Sequence, residues 1–218
     1  MTNIPNACER LCEHSSKLLE TRLIVITGGP GAGKTAVLEM AKKVLCEHVV
    51  ILPEAATIVF GGGFWRMNST SARMAAQRAI LHVQIELENL VIAEKKWAIG
   101  LCDRGTLDGL AYWPDGQKSF FEITHSLIET EYAKYFAVIH LRPPTDLLGY
   151  NKQNTLRIET AIESQEIDHK IRLAWSKHPN YHVIENNEDF LIKARATLAL
   201  ILKMVPECCR INLKNLCL

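Results

Sequence analysis

The chain has 218 residues, of which 48% are hydrophobic and 22% charged, and its net charge is +1. That composition supports a packed core and excludes a disordered chain. The near-zero charge gives no global attraction to nucleic acid or to an anionic membrane. No apolar run approaches the ~18 residues of a membrane span, and the first twenty residues lack the apolar core of a signal peptide, so a cytoplasmic protein is expected. Seven cysteines, an odd number, then read as reduced thiols.

Residues 1–20 read as a leader segment, with Ala7, Leu11, Leu18 and Leu19 partly periodic as in a short helix. Residues 21–205 read as one domain, and 206–218 as a tail without clear pattern. The domain opens on the apolar run Leu23-Ile24-Val25-Ile26, a buried strand over 22–27. Directly after it stands Gly28-Gly29-Pro30-Gly31-Ala32-Gly33-Lys34-Thr35, which matches G-x-x-x-x-G-K-[ST]. The next residues show a helical face of Val37, Met40, Ala41, Val44 and Leu45, predicting a helix to about 47. The motif therefore sits between a strand and a helix start, as phosphate binding requires. Its glycines let the backbone wrap a phosphate chain, and the helix N-terminus points N–H groups at the anion. Lys34 is placed to reach the β- and γ-phosphates, and the Thr35 hydroxyl to ligate Mg²⁺.

Val49-Val50-Ile51-Leu52 is a second continuous apolar run, ended by Pro53-Glu54-Ala55-Ala56-Thr57. A carboxylate at the C-terminal edge of a parallel strand lies where open α/β sheets bind ligands. Glu54 is thus a candidate catalytic acid, the alternative being a first-turn acid that complements a helix dipole. Gly61-Gly62-Gly63 predicts a loop, beside which Trp65 and Arg66 either grip a ligand or serve as anchor and solvated charge. A long helix is predicted over 69–96, with Arg73 near its start. The third strand, 97–102, leads into Asp103-Arg104-Gly105. Phosphoryl transfer needs a carboxylate for Mg²⁺ and a cation for developing charge, and Asp103 and Arg104 supply them. The alternative for Asp103 is a helix N-cap.

A single helix is predicted over 119–134, and a fourth strand over 136–141 that holds His140, read as a core histidine. Residues 145–160 are polar and stand where a closing lid would sit. Within them Arg157 and Lys152 are candidates to reach phosphate, the alternative being solvated charge. A helix over 158–176, a strand over 181–184 and a last helix from Phe190 complete the domain. The Cys208-Cys209 pair reads as incidental, since it is not a C-x-x-C.

Strands and helices alternate throughout, which predicts a parallel sheet with helices on both faces. On that scaffold the loop, Glu54, the Asp103-Arg104 pair and the basic lid resemble the nucleoside and nucleotide kinases among P-loop proteins. The run Asp103-Arg104-Gly105-Thr106-Leu107-Asp108-Gly109-Leu110-Ala111-Tyr112-Trp113 resembles the signature of the P-loop family AAA_28. So do Pro53-Glu54-Ala55-Ala56-Thr57, the segment from Arg157 to Asp168, and Trp175-x-x-His178-Pro179. The likeness covers about 22–205. It implies a three-layer α/β/α P-loop NTPase fold with a five-stranded parallel sheet of nucleoside-kinase type and a short lid. By the same likeness Glu54 receives the proton of an attacking hydroxyl, Asp103 and Arg104 serve metal and phosphates, and Arg157 clamps the transferred phosphoryl. The glycine triplet and the short lid depart from that pattern, so acceptor identity does not carry over.

The expectation is an ATP- and Mg²⁺-dependent kinase acting on a small, nucleoside-like acceptor. A nucleotide-binding regulator or slow NTPase is the alternative. ATP is favoured over GTP because the guanine motif N-K-x-D is absent; Asn151-Lys152-Gln153-Asn154 ends in Asn. No arginine-finger or sensor arrangement suggests a ring motor.

Overall fold

All five apolar runs form strands: β1 (Arg22–Thr27), β2 (Val49–Leu52), β3 (Ile99–Asp103), β4 (Tyr135–Leu141) and β5 (Tyr181–Ile184). The structure is a computed structural model that describes residues 20–144, 161–186 and 189–210. The strands pair in the order β2-β3-β1-β4-β5, and every pair is parallel. Residues 1–19 of the leader and the lid over 145–160 lie outside the described residues, and Arg157 and Lys152 with them.

Because both faces of a parallel sheet are covered, its strands are apolar at successive positions rather than alternate ones. In β1, Ile24 and Ile26 pack one way, against Val37 and Ala41 of α1 (Lys34–Val44) and Ala194, Leu198 and Ile201 of α7 (Phe190–Met204). Leu23 and Val25 pack the other way, with Val91 of α3 (Thr70–Glu94) and Ile171 and Trp175 of α6 (Ala161–Trp175). Three layers result. A short α2 (Ala55–Gly61) lies against α3.

The helix expected over 119–134 is two, α4 (Gly116–Thr124) and α5 (Ile128–Ala133). His125 between them takes φ 52°. The Thr124 hydroxyl turns back to the Phe120 carbonyl at 2.8 Å and lies 2.9 Å from Ser126 Oγ. Such side-chain bonds compete with helix continuation. The segment after β3 winds as a 3-10 helix over Thr106–Ala111. The other boundaries within the described residues agree with expectation to a few residues; the helix start expected at 158 lies outside them. Asp103 is the last residue of its strand, and α3 starts behind Ser69, whose hydroxyl accepts the Ala72 N–H at 3.3 Å.

Parallel strands deliver their C-terminal ends to one edge. β1 therefore hands Thr27 to the phosphate loop, β2 hands Leu52 to Glu54, and β3 hands Asp103 to Arg104, all at the same side of the sheet.

Candidate functional site

Gly28 leaves β1 at φ 131°, and a Cβ there would stand 2.0 Å from the Leu141 carbonyl oxygen. Glycine alone lets the loop pass this close to the end of β4. Gly33 is the N-cap of α1 and has no side chain to cap it, so the first N–H groups of that helix retain their capacity for an anion. Lys34 Nζ donates to the carbonyls of Gly28 (2.9 Å) and Gly29 (3.1 Å). Burial presses its pKa down to about 8, helped by the Arg104 charge and opposed by Asp103, Glu54 and Asp108.

The loop is held from behind by residues that sequence reasoning passed over. Asp168 on α6 is buried, and its Oδ1 accepts the Gly29 N–H and lies 2.8 Å from His140 Nε2. Its Oδ2 accepts from Arg142 Nη1 at 2.6 Å. Burial would raise the Asp168 pKa, but the His140 hydrogen bond and charge, the Gly29 N–H and Arg142 hold it below the usual carboxylate range. The Ser164 hydroxyl donates to the Pro30 carbonyl at 2.5 Å. Lys193 on α7 is buried and donates to the Ala32 and Arg142 carbonyls. His140 is thus a core histidine, as expected, but one that also braces the loop through Asp168.

On the other side of Lys34, the Thr35 hydroxyl donates to Asp103 Oδ2 at 3.1 Å. Asp103 Oδ1 is buried with no hydrogen-bond partner among the described residues. Burial pushes the Asp103 carboxyl up, against the pull of Lys34 and Arg104 and the Thr35 hydrogen bond. An orphaned carboxylate oxygen beside a threonine hydroxyl is a hard-oxygen donor set, which fits Mg²⁺. Asp103 caps no helix: the N-cap of the following 3-10 helix is Gly105.

Arg104 is left-handed at φ 76°, a conformation that costs a non-glycine residue on the order of 1–3 kcal/mol and gathers at functional sites. The turn brings its guanidinium to three partners: Nε donates to Glu54 Oε1 (2.6 Å), and Nη1 to Asp108 Oδ2 (3.2 Å) and the Gly28 carbonyl (3.4 Å). Asp108 is fixed in turn by the Thr27 hydroxyl (2.6 Å) and Trp175 Nε1 (2.7 Å). Trp175 also presses on Gly105, where a Cβ would come within 2.7 Å of its ring. Glu54 occupies the N-cap position of α2, but its carboxylate accepts no N–H of that helix. Its oxygens take the Arg104 Nε and the Thr57 hydroxyl (2.6 Å) instead. Burial would raise its pKa, but Arg104, Lys34 and those hydrogen bonds hold it at about 2.

Lys34, Thr35, Glu54 and Arg104 line one cavity of about 510 Å³, bounded further by Phe60, Trp65, Arg73, Gln77 and Tyr112. Trp65 is 79% exposed there, so it is no packing anchor. Arg66 lies over the Phe60 ring at 4.8 Å, and Arg73 donates to the Tyr112 carbonyl at 3.2 Å.

The profile of the AAA_28 family, described as an AAA domain, matches residues 23–191. The chain belongs to the AAA_28 family. Among solved structures, this AAA_28 protein is similar to deoxyadenosine kinase from M. mycoides with bound dATP, at 16% identity and TM-score 0.55, over 83% of this chain and 98% of that one. It is also similar to thymidylate kinase from Candida albicans, at 14% identity and TM-score 0.55, over 85% and 92% of the two chains. No curated protein sequence matches it significantly. The likeness establishes the P-loop α/β fold of nucleoside and nucleotide kinases. Among the described residues of this AAA_28 protein, no helix is long and apolar enough to cross a membrane.

Proposed function

We propose that this AAA_28 protein is a kinase that transfers the γ-phosphoryl of ATP to a small, nucleoside-like acceptor. The observation that carries the reading is the Glu54–Arg104 pair at 2.6 Å, lining the same cavity as Lys34 and Thr35. A carboxylate set beside the phosphate loop serves an acceptor hydroxyl. A cavity of about 510 Å³ is the size that small ligands use. The two similar structures are those of a deoxyadenosine kinase and a thymidylate kinase, which supports the acceptor class.

In this reading the phosphate loop and Lys34 hold the β- and γ-phosphates, and Arg104 faces the transferred group. Arg157 in the lid is proposed to clamp the same group. Glu54 accepts a hydrogen bond from the acceptor hydroxyl and orients it. As the acceptor oxygen bonds to the γ-phosphorus and the bond to the β-phosphate oxygen breaks, the hydroxyl proton passes to Glu54. A carboxylate held at about 2 is a weak base, which suffices if the transition state is loose and the proton leaves late. Thr35 and Asp103 are the residues to hold Mg²⁺, which when bound neutralises phosphate charge. Most of the rate gain then comes from positioning and electrostatics.

The test is a panel of nucleosides and nucleoside monophosphates incubated with ATP and Mg²⁺, comparing wild type with Glu54→Gln. Acceptor phosphorylation that drops on substitution supports the reading. Transfer indifferent to the substitution removes Glu54 from its role. Nucleotide consumption that no acceptor accelerates, together with nucleotide-dependent capture of a partner, favours a regulator instead.

A further inference from the structure

The edge of the sheet opposite the phosphate loop carries a second cluster of reactive side chains. Cys46 stands between α1 and β2, His48 directly precedes β2, and Cys209 closes the 3-10 turn Glu207–Cys209 that follows α7. The backbone already ties these places together. The Cys46 N–H donates to the Cys209 carbonyl at 3.4 Å, and the His48 carbonyl accepts from Ala98 (2.9 Å) and Ile99 (3.3 Å) at the start of β3. One donor atom from each of the three side chains lies within 4.8 Å of the other two. Cys46 Sγ is 3.6 Å from His48 Nδ1.

That last distance bears on the occupant. With Zn–S near 2.3 Å and Zn–N near 2.0–2.1 Å, a tetrahedral zinc site has a sulfur-to-nitrogen edge of about 3.6 Å. One edge of the tetrahedron is therefore in place, and Cys209 lies close enough to supply another vertex. Cys209 is buried, whereas Cys46 and His48 are half-buried, so the cluster is shielded on one side and reachable on the other. Two thiols and an imidazole are borderline-soft donors that select zinc over Mg²⁺ or Ca²⁺. The hard oxygens of Thr35 and Asp103 lie at the other end of the sheet and have the opposite preference.

We propose that Cys46, His48 and Cys209 form a zinc site, its fourth position taken by water, that staples the turn after α7 to the α1–β2 connection. Binding releases one proton from each thiol, and neutral His48 binds through Nδ1 while Nε2 keeps its hydrogen. The site joins segments remote in sequence at the end of α1, the helix that begins in the phosphate loop. It stands independently of the kinase reading.

The test uses the full chain, purified under reductant, stripped with a chelator and titrated with Co²⁺. The expected result is a sulfur-to-cobalt charge-transfer band with intense tetrahedral d–d absorption, saturating at one equivalent and abolished by adding Zn²⁺. Cys46→Ser and Cys209→Ser lose the band, whereas Cys102→Ser, at a buried thiol elsewhere, keeps it. Zinc also raises the Tm of the stripped wild type and not that of the double serine variant. The wild-type titration decides even if a variant misfolds: a weak octahedral spectrum alone overturns the proposal. A charge-transfer band that persists in the Cys46→Ser Cys209→Ser variant overturns it as well, by moving the metal to other thiols.

Discussion

Arg104 Nε and Glu54 Oε1 meet at 2.6 Å although 50 residues separate them. The contact joins the end of β3 to the end of β2 and places a charged pair at the wall of the cavity. Arg104 is held there by Asp108, which Thr27 and Trp175 fix. The acid after β2, Arg104 of the Asp-Arg-Gly run and the tryptophan of α6 are thus parts of one hydrogen-bonded assembly.

This pair makes stability depend on acid. The folded-state pKa of Glu54 is about 2 against an ordinary 4.5. The ionised carboxylate therefore stabilises the fold above pH 4.5, and the contribution fades as pH falls from about 4.5 toward 2. Urea unfolding of wild type and Glu54→Gln, compared at pH 6 and pH 3, should show a stability gap that narrows at the lower pH. A gap of constant size contradicts the assignment.

Asp168 should be a large single contributor to stability for a residue outside the cavity. It is 1% exposed and accepts from Gly29 and Arg142 while contacting His140. Asp168→Ala leaves those groups without their anion, and breaking a buried pair this way costs roughly 3–5 kcal/mol. The neighbouring exposed His169→Gln should stay within about 0.5 kcal/mol of wild type. Denaturant unfolding of both variants checks the contrast, and equal effects would argue against the brace.

Asp103→Asn should raise the Mg²⁺ concentration needed for half-maximal ATP consumption and leave metal-free ATP binding nearly unchanged. The unpartnered Oδ1 and the Thr35 hydroxyl on Oδ2 are the reason. Removing Mg²⁺ with EDTA should silence wild type and variant alike. A titration of rate against Mg²⁺ that superimposes for the two proteins would place the metal elsewhere.

Much of this arrangement was legible from local pattern. Three of the five strand ranges agree residue for residue, because continuous apolar runs bounded by Gly, Pro or charge leave little alternative. Lys34, Thr35, Glu54, Asp103 and Arg104 lie together because each ends or follows a parallel strand or opens the helix after one. What stayed hidden depends on distant partners. Asp168 meets Gly29 across 139 residues, and no local pattern encodes that. A signal did exist: Ser164, Asp168, Ile171 and Trp175 follow helical spacing, and all are buried. Two polar residues inside an apolar stripe mark a buried hydrogen-bonding task. Lys193 beside Ala194, Thr197 and Leu198 carries the same mark. The break between α4 and α5 was invisible because neither Gly nor Pro announces it; Thr124, His125 and Ser126 stop the helix through side-chain bonds and one left-handed residue.

The central claim is that the loop over 28–35 holds the phosphates of ATP through Lys34. Isothermal calorimetry of ATP binding to wild type and Lys34→Ala tests it most directly. Charged hydrogen bonds contribute roughly 1.5–3 kcal/mol each, so affinity should fall about tenfold or more, while circular dichroism shows the fold retained. Unchanged ATP affinity in a folded Lys34→Ala variant would contradict the account.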